Sequence, residues 1–382
     1  MKEKLKLPEI LLYLDILAYF PELARNGYKT VGEFIDDYLA AAPADRPNTM
    51  FSDYKTDEET GVVRLIEYLS NIKRIREMKI CFDSSDTDKY TAVCIAEDVV
   101  GSAGKNVRNI YIILGANYRE NLYESYYGTT STWIDNFVGA VQTDTAEQRS
   151  ILKFFDKAVK MALEELENDN EYRIIVSGHS KAGNLAQYIT VMRNNVSYCY
   201  SFDGQGFSDK FLRKHKNRIR RNGSKIISIC PDMSMAGSLL QAIPNSCKRY
   251  INTGYLKDKA IPIMPLFCHV PTTLLDNNFK LKPCTGGFNS ISDLLHLVSV
   301  CGAETADLLP LINAEKGLAG IGEGIRHLFK GRNKQAAESF LNKDSVAVSL
   351  IDLIIAASTA PVYIASEFIN KAFENKKGKN DD

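Results

Sequence analysis

Apolar positions in the first fifth of the chain recur at helical spacing. Residues 8–24 place Leu11, Leu14, Ile16, Leu17 and Phe20 on one face and predict an amphipathic helix. Residues 27–39 predict a second short helix, 40–60 are rich in Pro, Asp and Thr and read as loop, and 62–76 are helical again. The period then shortens. Residues 79–83, 91–100 and 109–114 are β-branched or aromatic runs separated by Ser, Asp, Gly and Asn, which predicts strands. A long helix follows from Thr143 or Thr145 to about Leu166, with Ile151, Phe155, Ala158, Val159 and Ala162 at helical spacing. Thr145 and Gln148 fit a capping box at its start. Further strands are expected at 173–176, 197–202 and 225–230, with a weaker one at 250–253, and a helix at 182–192. Strands alternating with helices predict an α/β fold with a mostly parallel sheet covered on both faces.

Beyond Ser290 only helical patterns remain, at 291–300, 308–318, 322–329 and 346–373, before a polar tail at 376–382 that reads as disordered. The expected organisation is an N-terminal helical flank (1–78), an α/β core (79–290) and a C-terminal helical region (291–382). The apolar segment 346–365 has about the length needed to span a bilayer, but Asp352 and Pro361 interrupt it. An accessory helix is the favoured reading, with membrane association as the alternative.

Composition narrows the picture only a little. The 382 residues carry 47 bases and 47 acids, so overall charge draws the chain to neither nucleic acid nor an anionic membrane. A local exception is 210–221, with seven Lys or Arg in twelve residues; it reads as a solvated helix face, or as a patch for anionic headgroups. Eight scattered cysteines form no C-x-x-C pair and read as buried, reduced thiols. The start, Met1-Lys2-Glu3-Lys4-Leu5-Lys6, leads to an apolar run broken by Asp15, with no small-residue cleavage site. The expectation is a bacterial-style cytoplasmic protein. Gly101–Gly104 lacks the lysine of a phosphate loop, and neither cofactor nor metal is implied.

The chemistry concentrates at Arg173 to Leu185. An apolar β run stops at Gly178, Ser180 stands at the turn, and a helical segment begins at once. That is the layout of a nucleophile elbow, which lifts a serine hydroxyl above the sheet edge; the alternative is a plain strand-to-helix turn with Ser180 as N-cap. A serine nucleophile needs a histidine base and a carboxylate to orient it. His179 lies inside the elbow and reads as structural, His215 as solvated, and His296 as half-buried on a helix. His327 is far along the appendix. His269 follows the last strand and opens a loop, where a catalytic histidine belongs. Asp203 and Asp232 each end a strand and both remain candidates, fold precedent favouring Asp232. The oxyanion hole would use the backbone N–H of Lys181, with Ala116 in the loop after an early strand as second donor.

These residues resemble a known group. Gly178-His179-Ser180-Lys181-Ala182-Gly183-Asn184-Leu185-Ala186 looks like the G-H-S-K-G-G-N-L-A elbow of a bacterial family of lipase-like α/β-hydrolases, related in fold to class 3 (fungal-type) lipases. Trp133 to Phe137 with Thr145 to Gln148, Tyr200 to Phe207, and Ile263-Met264 with Cys268-His269 resemble other segments of that family. The resemblance implies Ser180 and His269 and places Asp203 ahead of Asp232. Three departures bear on substrate range or on activity itself. Ile113-Leu114-Gly115-Ala116 stands where the family has F-R-G-T, Ala182 replaces the elbow glycine, and Val270 follows His269 in place of an acid.

Two functions follow as expectations. The first is a serine hydrolase that cleaves a small-molecule carboxylic ester or lipid. The second is a non-catalytic scaffold of the same fold whose C-terminal helices bind a protein or membrane; peripheral membrane contact through 210–221 or 346–365 is a separate expectation.

Overall fold

The computed structural model describes residues 5–47, 61–86, 90–101, 104–115, 143–164, 171–234, 236–254 and 268–287, together with 292, 293, 296, 299 and 300. Ala116, residues 133–137, Ile263, Met264, His327, the tail and the segment 346–365 lie outside them. Seven strands form one sheet in chain order. β1 (Lys79–Asp83), β2 (Thr91–Val100) and β3 (Asn106–Gly115) pair antiparallel. β4 (Glu171–His179), β5 (Val196–Phe202), β6 (Ile226–Pro231) and β7 (Cys247–Ile251) continue from β3 in parallel. The expected strands match these closely; the weak one begins earlier, at Cys247, and ends at Ile251.

Chain order in the sheet has a direct consequence. Each parallel connection steps the same way, and right-handed crossovers then all fall on one face. That face carries α5 (Ala146–Glu164), α6 (Lys181–Met192), α7 (Asp209–Lys214) and α8 (Lys216–Asn222). They pack on Ile110, Ile112, Leu114, Ile174 and Val176. The other face presents Tyr111, Ile113, Ile175, Phe202 and Ile229, which the crossovers cannot reach. It is covered by α1 (Leu7–Leu17), α2 (Val31–Ala40) and α3 (Val62–Ser70), with the short α4 (Lys73–Arg76) beside them. The result is an α/β-hydrolase-type architecture, a mostly parallel sheet between helical layers.

α1 departs from its expectation twice. It ends at Leu17 instead of running to 24, because Pro21 starts a 3-10 turn and Phe20 before it is extended (φ −93°, ψ 110°). It is also buried on every side, from Glu9 to Leu17, because it sits between the sheet and the other N-terminal helices. Fully burying each such Leu or Ile contributes about 1.5–3 kcal/mol. The Thr145–Gln148 capping box forms as expected, with Thr145 N donating to Gln148 Oε1 (3.0 Å) and Gln148 N to Thr145 Oγ1 (3.1 Å).

The basic stretch 210–221 is two short helices broken at His215, with its cations exposed. Arg218 donates to the Met192 carbonyl (3.0 Å), at the C-terminal end of α6 where positive charge is favourable. His215, expected in solvent, is buried instead and its Nε2 lies 3.1 Å from Asp144 Oδ1. Of the described cysteines, all free, Cys94, Cys199, Cys230 and Cys268 are buried as expected, whereas Cys247 and Cys284 are exposed. Among the described residues no helix is long and apolar enough to cross a membrane.

One buried acid makes a stability prediction. Asp15 on α1 is fully buried and accepts a hydrogen bond from Ser177 Oγ (2.7 Å), while its Oδ1 has no hydrogen-bond partner. Burial pushes its carboxyl well above the usual carboxylate range, and the Ser177 hydroxyl offsets this only in part. The folded state therefore holds this proton more tightly than the unfolded chain. Stability falls as pH rises from the unfolded Asp value of about 3.9 through the raised folded value. Asp15→Asn keeps the acceptor for Ser177 and removes the proton. Its melting temperature should overtake wild type as pH rises from 4 to 7, the gap reaching on the order of 5 °C. A gap independent of pH would contradict the buried-acid account.

Candidate active site

β4 ends at His179 and α6 begins at Lys181, so Ser180 alone makes the turn, with φ 61° and ψ −126°. A positive φ in a non-glycine residue costs on the order of 1–3 kcal/mol and persists only where the surroundings enforce it. Here the enforcement is close packing of strand and helix. A Cβ at Gly178 would lie 2.5 Å from the backbone of Ala182, and one at Gly183 would lie 2.7 Å from Ser201 Oγ. The Ala182 methyl, which replaces the familiar elbow glycine, is buried in the core under the sheet. The tight approach to the neighbouring strand is made one residue later, at Gly183, so the substitution leaves the turn intact.

Three post-strand residues continue the ladder beyond the strand ends. Ser180 N donates to Phe202 O (2.9 Å), Asp203 N to Ile229 O (2.8 Å) and Asp232 N to Ile251 O (2.8 Å). Ser180, Asp203 and Asp232 thus stand in a row at the carboxyl edge, one strand spacing of about 4.8 Å apart. A histidine ring that reaches both a serine and an acid fits the adjacent member of this row. His269 Nε2 lies 2.9 Å from Ser180 Oγ and its Nδ1 lies 2.6 Å from Asp203 Oδ2. Asp232 is left out: its Oδ1 accepts from Thr253 N (3.1 Å) and Thr253 Oγ1 (2.8 Å), which pins the chain leaving β7.

The His269 turn is held from below. Val270 and Leu274 are core residues, and the family's acid after the histidine is here a buried apolar side chain. Thr273 Oγ1 donates to Val270 O (2.6 Å), and Lys282 Nζ donates to Thr273 O (2.9 Å) and Thr253 O (3.4 Å).

Asp203 is 1% exposed and also has a positive φ of 45°. Burial pushes its carboxyl up, but the hydrogen bond and charge of His269, with the Ser234 hydroxyl, outweigh burial and leave it below the usual range. Its Oδ1 accepts from Ser234 Oγ and from Gly237 N (2.9 Å). An ionised carboxylate only accepts, so His269 carries its proton on Nδ1 and offers an Nε2 lone pair to the Ser180 hydroxyl. That is the tautomer a general base needs.

Lys181 opens α6, which places its backbone N–H in the first turn, at the positive end of the helix dipole. Its side chain is buried, with Nζ 3.8 Å from Glu147 Oε2 on α5. His179 faces α1 as a structural histidine would, yet its ring also packs on that of His269, with centroids 4.7 Å apart. His296 is half-buried as expected, its Nδ1 3.0 Å from Ser238 O.

Sequence reasoning passed over several supports. Ser234 and Gly237 lie in an irregular segment and carry no motif. Asn184 was visible within the elbow motif itself; its Nδ2 donates to Gln205 O (3.2 Å) and Gly206 O (3.0 Å), fixing the loop after Asp203. Two surface clefts, one beside α2–α4 and one between α4 and β1–β3, contain none of these residues.

A mostly parallel sheet between helical layers, with Ser180, His269 and Asp203 in hydrogen-bond contact at its carboxyl edge, defines an α/β-hydrolase-type fold. Residues 109–251, from β3 to β7, match the Mbeg1-like family, a lipase-like family. Among solved structures, the chain is similar to one described as the crystal structure of M37 lipase. That similarity has 12% identity and a TM-score of 0.36, over 86% of this chain and 98% of that one. No curated protein matches.

Proposed function

We propose that this protein is a serine hydrolase that cleaves carboxylic esters in the manner of a lipase or esterase. The observation that carries the reading is the unbroken line from Ser180 Oγ through the His269 ring to Asp203, with contacts of 2.9 and 2.6 Å. In this reading Ser180 attacks the acyl carbonyl while His269 Nε2 takes its proton. The developing oxyanion is held by the Lys181 N–H and by Ala116, the latter assigned on sequence alone. The imidazolium then protonates the leaving alcohol, and the acyl-enzyme is hydrolysed by water that His269 deprotonates. Asp203 holds the tautomer and stabilises the imidazolium.

A non-catalytic scaffold would have no reason to retain a strained serine, an ionised buried acid and a base in hydrogen-bond register. The test is labelling of the full chain with a fluorophosphonate, followed by peptide mapping. A single phosphonyl group on Ser180 is expected, lost in Ser180→Ala. An unlabelled wild type that also fails to hydrolyse p-nitrophenyl esters of short and long acyl chains would sink the hydrolase reading.

A further inference from the structure

We propose that Tyr19 and His179 form a positioning pair that sets the plane of the His269 ring, so that the turn ending the N-terminal helix α1 is a working part of the catalytic site. This rests on the reading of His269 as the base.

Ile175, Ser177 and His179 alternate along β4 and face α1, while Ile174 and Val176 face the crossover helices. Asp15 on α1 and Tyr19, four residues later in the turn that follows the helix, meet the last two of these. Ser177 Oγ donates to Asp15 Oδ2 (2.7 Å), and the Tyr19 hydroxyl lies 2.6 Å from His179 Nδ1. A third point fixes the end of α1 against β3, because a Cβ on Gly115 would lie 2.1 Å from the Ala18 carbonyl oxygen. The C-terminal turn of α1 is therefore keyed to the ends of β3 and β4, the strands that lead to the oxyanion loop and to the nucleophile.

From there the contact passes to the base. The His179 ring is 1% exposed and lies against the His269 ring, centroids 4.7 Å apart and planes 37° apart. Asp203 and Ser180 fix His269 at its two nitrogens, which still leaves the ring free to tilt about the line between them. His179 blocks that tilt on one side, and Tyr19 keeps His179 from turning about its own χ2. The groups that face His179 are Tyr19, His269 and Asp203. Burial, then the neighbouring His269, lower the His179 pKa to about 3, against the opposing pull of Asp203. His179 therefore stays neutral through the working range and adds no positive charge beside His269 when that ring takes the serine proton.

The experiment uses the full chain with Tyr19→Phe, His179→Phe and the double variant, each checked for melting temperature. Phe preserves the ring packing in both positions and removes the hydrogen bond. Ester turnover and the rate of phosphonylation at Ser180 give the kinetic arm. Proton NMR of the low-field His269 Nδ1 resonance gives a spectroscopic arm that does not require turnover. Each single variant should lower kcat on the order of tenfold with KM within about twofold, as expected for a misaligned base. The double variant should be no slower than the slower single, because Tyr19 acts through His179. The Nδ1 resonance should shift or broaden in Tyr19→Phe. Unchanged kcat in Tyr19→Phe, or losses that multiply in the double variant, would overturn the pair. If the wild type neither labels nor turns over, the hydrolase reading fails by itself. The NMR arm then still decides the pair: a shifted resonance supports it and an unmoved one ends it.

Discussion

Ser180→Ala should reduce ester turnover by roughly 10⁶, and His269→Ala by a comparable factor. The two losses should not add. The serine hydroxyl is a useful nucleophile only while His269 Nε2, 2.9 Å away, accepts its proton, and the base has nothing to activate once the hydroxyl is gone. The double variant should therefore retain about the same residual rate as either single, carried by the oxyanion donors and substrate binding alone. Both variants should fold. Ser180 is half-buried and Ala relieves none of the packing that enforces its φ of 61°, whereas His269→Ala opens space beside His179. Burst and steady-state kinetics on a p-nitrophenyl ester check this. A Ser180→Ala protein that keeps wild-type turnover would place the chemistry elsewhere.

Asp203→Asn and Asp232→Asn should separate by orders of magnitude. At Asp203 the amide would face Nδ1 of His269 across a 2.6 Å contact and would favour the wrong tautomer, so kcat should fall on the order of 10⁴. It would also replace an acceptor-only group beneath Ser234 and Gly237 N, which both donate to Oδ1. At Asp232 an amide oxygen can still accept both Thr253 hydrogen bonds, so turnover should stay within a few-fold of wild type. The pH profile supplies a second readout. Asp203 is held ionised by His269 and Ser234 against its burial, with its carboxyl below the usual range. Wild-type activity should therefore not be lost through Asp203 as pH falls until it is below the ordinary Asp value of about 3.9. Equal losses in the two variants would mean that the acid was wrongly chosen.

The difference between those two acids shows where sequence stops being informative. Both sit one residue after a strand and both are followed by turn residues; fold precedent points to Asp232, and only the family resemblance of the segment 200–207 puts Asp203 first. The choice depends on which strand lies beside β4. Sequential order makes it β5, so Asp203 is one strand spacing from Ser180 and Asp232 two. No pattern along the chain encodes that neighbour relation. His269 was legible because only five histidines compete and one follows the last strand. Ser180 was legible because an elbow is a local object: apolar strand, small residue, serine, helix.

The same distinction runs through the fold. Strand and helix positions were readable because period and capping are properties of contiguous residues, as at Thr145–Gln148. The burial of α1 on all sides was not, because what covers its outer face, α2 and α3, is set by packing and not by the helix's own period. Nor could the burial of His215 be foreseen inside a run of exposed cations, since its partner Asp144 is 71 positions away in sequence. The sequence by itself determined an α/β chain and offered Ser180, His269 and, ranked by resemblance, Asp203 ahead of Asp232 as candidates. Tertiary structure showed that Asp203, the acid the resemblance ranked first, meets His269, that Asp232 ties down the loop behind it, and that Tyr19, just past the first helix, meets His179 beside the His269 ring. The physical reason is that helical and strand periods are written locally, whereas a hydrogen bond across the sheet edge exists only once strand order and crossover hand bring distant residues to the same edge.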